Sequence, residues 1–395
     1  MGKKEVDGRV IKKLMFKKES CSTNSKLLDM KPNKDLDSLP VEIKCQILQF
    51  LPVRDVKSVI KLNRGWRQLC QDPGLWRNLH LNITSRSGLF IKDILHLSHL
   101  QQLRCINFDQ QIFAKKAEET LRWEFEYQSS LWQFRFIFCR LIINHGSIEE
   151  LDVSKSKLSD VSNGTLRTLM RKMKKLSVRN CRFTGPQLND MFKVFSDDET
   201  NLEHLNIGNN NLIVDSDYLR KAVIKLTTFH CDNCNLVTSQ ISEMLTELRD
   251  SDCKLEDLNI MLNPMIHIRH QLLAESLSKL VSVNLWGCDA ITISLLDNII
   301  SSNSINLQHL NLGNHDLTFF AAPLVADSLI RLVSVTLSEC EMTPMQVTML
   351  FTNIATKDNI SLRRLEILGV DPPLDDLVKK AEEKLDKLEI LKHFY

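Results

Sequence analysis

The stretch Cys-Asp-Asn-Cys at Cys231–Cys234 is the part of this 395-residue chain most like a metal or redox pair. Two thiolates in that spacing can share a zinc ion or cycle through a disulfide. A structural zinc needs four ligands, and no second pair stands at finger spacing. His267 and His270 lie three apart with no carboxylate–His pattern beside them, and His96 and His99 are alike. There is no Gly-rich phosphate loop and no Gly-x-Ser-x-Gly elbow. Acidic residues are spread as solvated faces, so no catalytic carboxylate pair stands out. The expectation is therefore no catalytic residue, no cofactor and no metal.

Cys231 and Cys234 belong instead to a repeat. The pattern Leu-x-x-Leu-x-Leu-x-x-Asn/Cys-x-Leu recurs after residue 147. It reads IEELDVSKSKL from Ile148, MKKLSVRNCRF from Met173, LEHLNIGNNNL from Leu202 and LTTFHCDNCNL from Leu226. It continues as LEDLNIMLNPM from Leu255, LVSVNLWGCDA from Leu280, LQHLNLGNHDL from Leu307 and LVSVTLSECEM from Leu332. A weaker unit starts at Leu362, and Leu385–Tyr395 is expected as a last, capping strand. Equivalent positions are 24 to 30 residues apart, with short and long steps alternating. The turn residue alternates too: Cys181, Asn210, Cys234, Asn263, Cys288, His315, Cys340.

The core of each unit alternates apolar and polar, the period of a half-buried strand. Between the strands, stretches such as Pro186–Phe195 and Ser239–Leu248 have helical spacing. One strand–helix unit cannot bury its own apolar face, so the units stack. A turn Asn can donate and accept inside the stack, and a turn Cys is small enough to bury. This pattern resembles leucine-rich repeats of the alternating, ribonuclease-inhibitor-like kind. The fold class implied is α/β, a curved solenoid with parallel strands inside and helices outside. Residues 79–147 are less regular and are expected as degenerate repeats. Leu100–Phe108 fits the pattern, and Leu121–Tyr127 alternates like a strand; one long helix over about 115 to 143 is the alternative.

Net charge is +2, from 51 basic and 49 acidic residues, so no bulk charge calls for nucleic acid or a membrane surface as partner. The charge is concentrated in residues 1–35, where ten Lys/Arg face five acids, expected as a disordered basic tail. No apolar run reaches the roughly 18 residues that span a bilayer. No signal-peptide core is evident, so the eleven cysteines are expected as reduced thiols in the cytoplasm or nucleus.

Residues 36–78 form a separate segment. Pro40 suits a first helical turn, and Ile43, Ile47, Leu48 and Leu51 follow at helical spacing. Pro52 ends that helix, Val56, Val59 and Ile60 mark another, and Trp66 and Leu69 a third. Three short helices in so few residues are at the limit of a self-sufficient core. A helical cap on the repeats would explain the segment without a partner. The order of residues points further: Leu39-Pro40-x-Glu42-Ile43, Ile47-Leu48-x-Phe50-Leu51-Pro52, Asp55-Val56, Trp66-Arg67-x-Leu69, Asp72-Pro73-x-Leu75-Trp76-Arg77. This resembles an F-box, with one departure at Asn63, where the family often has Cys or Ser.

An F-box before such repeats, here 79–395 with the regular ones over 148–395, resembles the F-box/leucine-rich-repeat family. The resemblance implies a non-catalytic subunit of an SCF ubiquitin ligase. The F-box would bind a Skp-type adaptor, and through it a cullin, by Leu39, Pro40, Ile43, Ile47, Leu48, Leu51 and Pro52. Trp66 and Trp76 would pack the segment. The repeats would hold a protein substrate for ubiquitination. A non-degradative binding or inhibitory scaffold on the same adaptor is the alternative, and an enzyme a remote third. Among the outward-pointing strand positions of the expected concave face, Trp286 and Met261 stand out as an anchor for a protein substrate, with Arg179 and Asp232 as polar candidates.

Overall fold

The computed structural model describes residues 39–51, 59, 62–70, 80–83, 105–108, 149–155, 158–159, 161–197, 200–264, 268–288, 295–297, 306–368 and 375–391. The chain divides into two compact units, Met1–Ile47 and Leu48–Tyr395.

The first unit contributes Leu39, Pro40 and the start of α1 (Val41–Phe50). Pro40 stands just before the helix, and its carbonyl accepts from Lys44 N–H (3.1 Å). In the second unit, α2 (Arg64–Leu69) is capped by Asn63, whose Oδ1 accepts from Trp66 N–H at 3.0 Å. Asn63 is therefore a working N-cap, a role in which Asn is as good as Ser. Trp66 is buried behind it.

The rest is one twelve-stranded parallel sheet whose strands follow chain order. The strands are β1 (His80–Ile83), β2 (Cys105–Phe108), β3 (Glu150–Asp152), β4 (Lys175–Ser177), β5 (His204–Asn206) and β6 (Thr228–His230). They continue as β7 (Asp257–Asn259), β8 (Ser282–Asn284), β9 (His309–Asn311), β10 (Ser334–Ser338), β11 (Arg364–Leu368) and β12 (Lys387–Leu391). The expected capping strand is β12, paired with β11. β2 pairs directly with β3, Ile106 opposite Leu151, so no strand intervenes between them in the sheet. The segment 121–127, expected as a strand, lies outside the described residues, as do the tail 1–35, Pro52 and Trp76.

Between strands run α3 (Asn163–Lys172), α4 (Gly185–Ser196), α5 (Ser216–Lys225), α6 (Thr238–Asp250), α7 (His270–Leu277), α8 (Ala322–Leu329), α9 (Pro344–Thr356) and α10 (Asp375–Lys384). The second residue of each strand, from Leu151 in β3 to Leu365 in β11, is buried. Strands sit about 4.8 Å apart whereas packed helices need 8–10 Å. That mismatch curves the sheet with its strands on the inside.

The turn alternation has a hydrogen-bond explanation. Asn210 Nδ2 donates to the carbonyls of Val178 (2.9 Å) and Ile207 (2.8 Å), while its Oδ1 accepts from Cys181 N–H (2.9 Å). Asn263 repeats this with Cys231, Ile260 and Cys234 (2.9, 2.9 and 3.1 Å). Each Asn thus satisfies the Cys unit before it. Each Cys donates its thiol one unit back: Cys181 to Val153 (3.3 Å), Cys234 to Ile207 (3.4 Å), Cys288 to Ile260 (3.1 Å). One residue before these turns φ is positive throughout, at Asn180, Asn209, Asn233, Gly287 and Asn314, types that bear it well, and also at Leu262 and Glu339.

A further device follows three of the Cys turns. Gln187, Gln240 and Gln346 each stand six residues after a Cys. Each Oε1 accepts from the N-cap N–H of its helix, at 2.7 to 2.9 Å. Each Nε2 donates to the preceding unit, at Val161 (2.8 Å), Val214 (2.7 Å) and Leu317 (2.6 Å).

Candidate protein-binding face

The polar residues of each strand point away from the helices and form rows across the sheet. The register places Lys175, His204, Thr228, Asp257, Ser282, His309 and Ser334 in one row. Asp152, Ser177, Asn206, His230, Asn259, Asn284, Asn311 and Thr336 form the next. Two shallow clefts lie on these rows and meet at His230. One, of about 250 Å³, lies over β3–β6; the other, of about 260 Å³, lies over β6–β10.

Much of the second row serves the backbone. Asn206, Asn259, Asn284 and Asn311 each accept, through Oδ1, from the N–H two residues on (2.9 to 3.1 Å). Asp152 does the same for Ser154 N–H at 2.9 Å. These side-chain turns end the strands, a local bond that Asn and Asp make readily.

In the clefts His204 Nδ1 bonds Thr228 Oγ1 at 2.8 Å, and His230 Nε2 bonds Asp257 Oδ2 at 3.0 Å. Partial burial works against ionising Asp257, yet the hydrogen bond and charge of His230 outweigh it and hold its carboxyl below the usual range. Cys231 and Cys234 lie behind the sheet. Burial pushes the Cys231 thiol well up and the Cys234 thiol to about 12. Both stay protonated, and Cys234 uses its S–H as a donor.

Beyond the strands, Arg179, Gly208, Asp232, Met261, Trp286, Gly313 and Ser338 form a third row, with backbone bonds linking neighbours. Here the structure corrects the expectation of polar groups offered to a partner. Asp232 has only 1% of its side chain exposed, and Arg179 reaches it across the intervening unit at 2.7 Å. Asn209 Nδ2 also donates to Asp232, at 3.0 Å. The bridge passes over Gly208, where a Cβ would stand 2.2 Å from Asp232 Oδ1. Arg179 thus meets an acid of its own chain.

Trp286 is half-buried. Its indole lies over Gly313 of the following unit, where a Cβ would stand 2.0 Å from Cδ1. Met261, also half-buried, sits one unit before it, its sulfur 3.9 Å from Asn284 Nδ2.

In the N-terminal segment, Pro40 and Ile43 are exposed, as is Val41 at 55%; Leu39, Ile47 and Leu51 are partly so. Leu48 is fully buried, so its side chain packs rather than contacts, a correction to its place among the surface candidates.

A short helix with exposed aliphatic side chains thus precedes a stack of strand–helix units. Residues 36–82 match the F-box-like family. No curated protein matches the sequence. Among solved structures, a chain of the Rad7 and Elc1 complex in yeast is 14% identical. The alignment covers 90% of this chain and 88% of that one, with a TM-score of 0.51. The leucine-rich repeat-containing protein LegL7 from Legionella pneumophila is 13% identical over 78% of this chain and 99% of its own, at TM-score 0.44. This chain has the architecture of an F-box/leucine-rich-repeat protein. Both kinds of domain generally serve as non-catalytic interaction modules.

Proposed function

We propose that the chain is a substrate-recruiting subunit of an SCF-type ubiquitin ligase, acting in the cytoplasm or nucleus. The observation that carries this is the F-box-like match over 36–82 on a helix that leaves Val41 and Ile43 open to solvent. Exposed aliphatic side chains on so short a segment gain by covering with a partner. The Skp-type adaptor is that partner, held by Leu39, Pro40, Ile43, Ile47, Leu51 and Pro52, with Leu48 as packing beneath. The sheet face holds the protein substrate, with Trp286 and Met261 at its rim. Ubiquitin transfer belongs to other subunits; tethering raises the local concentration of substrate lysines. A complex with a second protein is known for the yeast Rad7 fold relative, in its case Elc1.

The test is a pull-down of a purified Skp-type adaptor on the full chain, wild type against Pro40→Ala with Ile43→Glu. The wild type retains the adaptor and the variant loses it at least tenfold, about 1.4 kcal/mol. A wild type that ignores the adaptor sinks the reading. Adaptor binding without cullin assembly would favour the non-degradative scaffold.

A further inference from the structure

The four amides of the second row have a fixed orientation. A backbone N–H must face an oxygen, so Oδ1 of Asn206, Asn259, Asn284 and Asn311 is committed inward. Each NH2 group is then left as a donor towards the face. Asn259 and Asn284 spend one hydrogen each on long contacts, 3.5 Å to Asp232 and 3.9 Å to Met261 sulfur. Each retains a second. Three of these amides line the β6–β10 cleft, beside the hydroxyls of Ser282, Ser334 and Thr336.

The charge on the clefts is the second observation. Among the described residues lining them, Lys175 is the one Lys or Arg. It pairs with Glu150 at 3.1 Å, and Arg179 beside them is held by Asp232. Asp152 and Asp257 add negative charge. Phosphate recognition draws on free guanidinium or ammonium groups, and a phosphoryl dianion here would meet carboxylates first. Lys175 and His230 are each paired with a carboxylate, so what complements the amide donors is a neutral acceptor. Polypeptide carbonyls fit, provided they are not already spent, as they are inside a helix.

We propose that the sheet face takes an extended, unphosphorylated polypeptide segment, its free carbonyl oxygens received by the side-chain amides of Asn206, Asn259, Asn284 and Asn311. This deepens the reading of the face as the substrate-holding surface and rests on it. Asp at these positions keeps the backbone bond, as Asp152 does in β3, but replaces the donor with a carboxylate. Asn284→Asp with Asn311→Asp therefore separates recognition from folding.

The probe is a random-sequence peptide library in two forms, with and without phosphoserine at a fixed position, panned on the immobilised full chain. The unphosphorylated form is enriched on wild type, and selected peptides bind the double variant about tenfold or more weakly. Its circular dichroism and unfolding midpoint stay near wild type. Preference for the phosphorylated form, equal binding by the variant, or no enrichment in either form overturns the proposal. The adaptor pull-down on the same preparations reports the ligase reading separately, because these asparagines lie outside the F-box-like segment.

Discussion

Gly208 and Gly313 occupy the same place in their repeats, yet the space above them is used in opposite ways. Over Gly208 a carboxylate is sealed in, held by Arg179 from two units away and by Asn209. Over Gly313 lies the indole of Trp286, with Ser338 carbonyl oxygen close behind. The backbone device is shared: a missing Cβ lets a neighbouring side chain lie flat across the row. What fills the gap differs, so one half of the rim is closed by an internal ion pair and the other by an aromatic ring. A row of equivalent positions is therefore not a uniform binding surface.

The comparison can be broken by filling each gap. Gly313→Ala carries the larger expected effect, because its Cβ would meet Ser338 carbonyl oxygen at 2.8 Å as well as the indole. Backbone cannot swing aside, and overpacking of this kind costs about 3 kcal/mol at its upper range. Urea unfolding monitored by Trp fluorescence reads both the loss and any displacement of Trp286. Gly208→Ala meets first the Asp232 carboxylate, a side chain that can rotate at the expense of Arg179, so about 1–2 kcal/mol is expected. Adding Arg179→Ala to Gly208→Ala should then cost almost nothing further, a non-additivity that a double-mutant cycle measures. Full additivity would mean that the ion pair does not run over Gly208.

The smallest effect is that of pH on the neighbouring first row. Asp257 is held below the ordinary carboxylate range in the folded chain. Its contribution to stability is therefore present above its unfolded pKa, near 4, and is lost as pH falls through the lower folded value. Between about pH 5 and pH 2 the wild type should lose a component of stability that Asp257→Asn lacks. Identical pH curves for the two would remove the His230–Asp257 bond from the account.

The repeat was legible because its physics is local and periodic. Leu205 and its equivalents have to be apolar every unit, and the Asn and Cys turns recur at readable spacing. The role of the turn Asn followed from its having both a donor and an acceptor. Gln187 and Gln346 do carry a signal in the sequence, since Thr184 and Thr343 stand three residues before them, the spacing of a capping box. Helical spacing marks the apolar stripe that holds Leu48 without saying which edge of it is covered. Arg179 and Asp232 lie 53 residues apart in the chain, so nothing in the sequence pairs them.

By itself the sequence determined the class of unit, its order and its count through residues 148–395, since each unit must bury the same face against the next. It also determined that the order of residues from Leu39 is F-box-like, in agreement with the family match over 36–82. Only the tertiary structure decided which polar side chains remain free on the assembled face. That depends on stacking: Asp232 is withdrawn by an arginine two units away, Trp286 is laid over a glycine one unit on, and the asparagine donors are turned outward because backbone amides claim their oxygens. Such couplings run between chain-distant residues and leave no period to read.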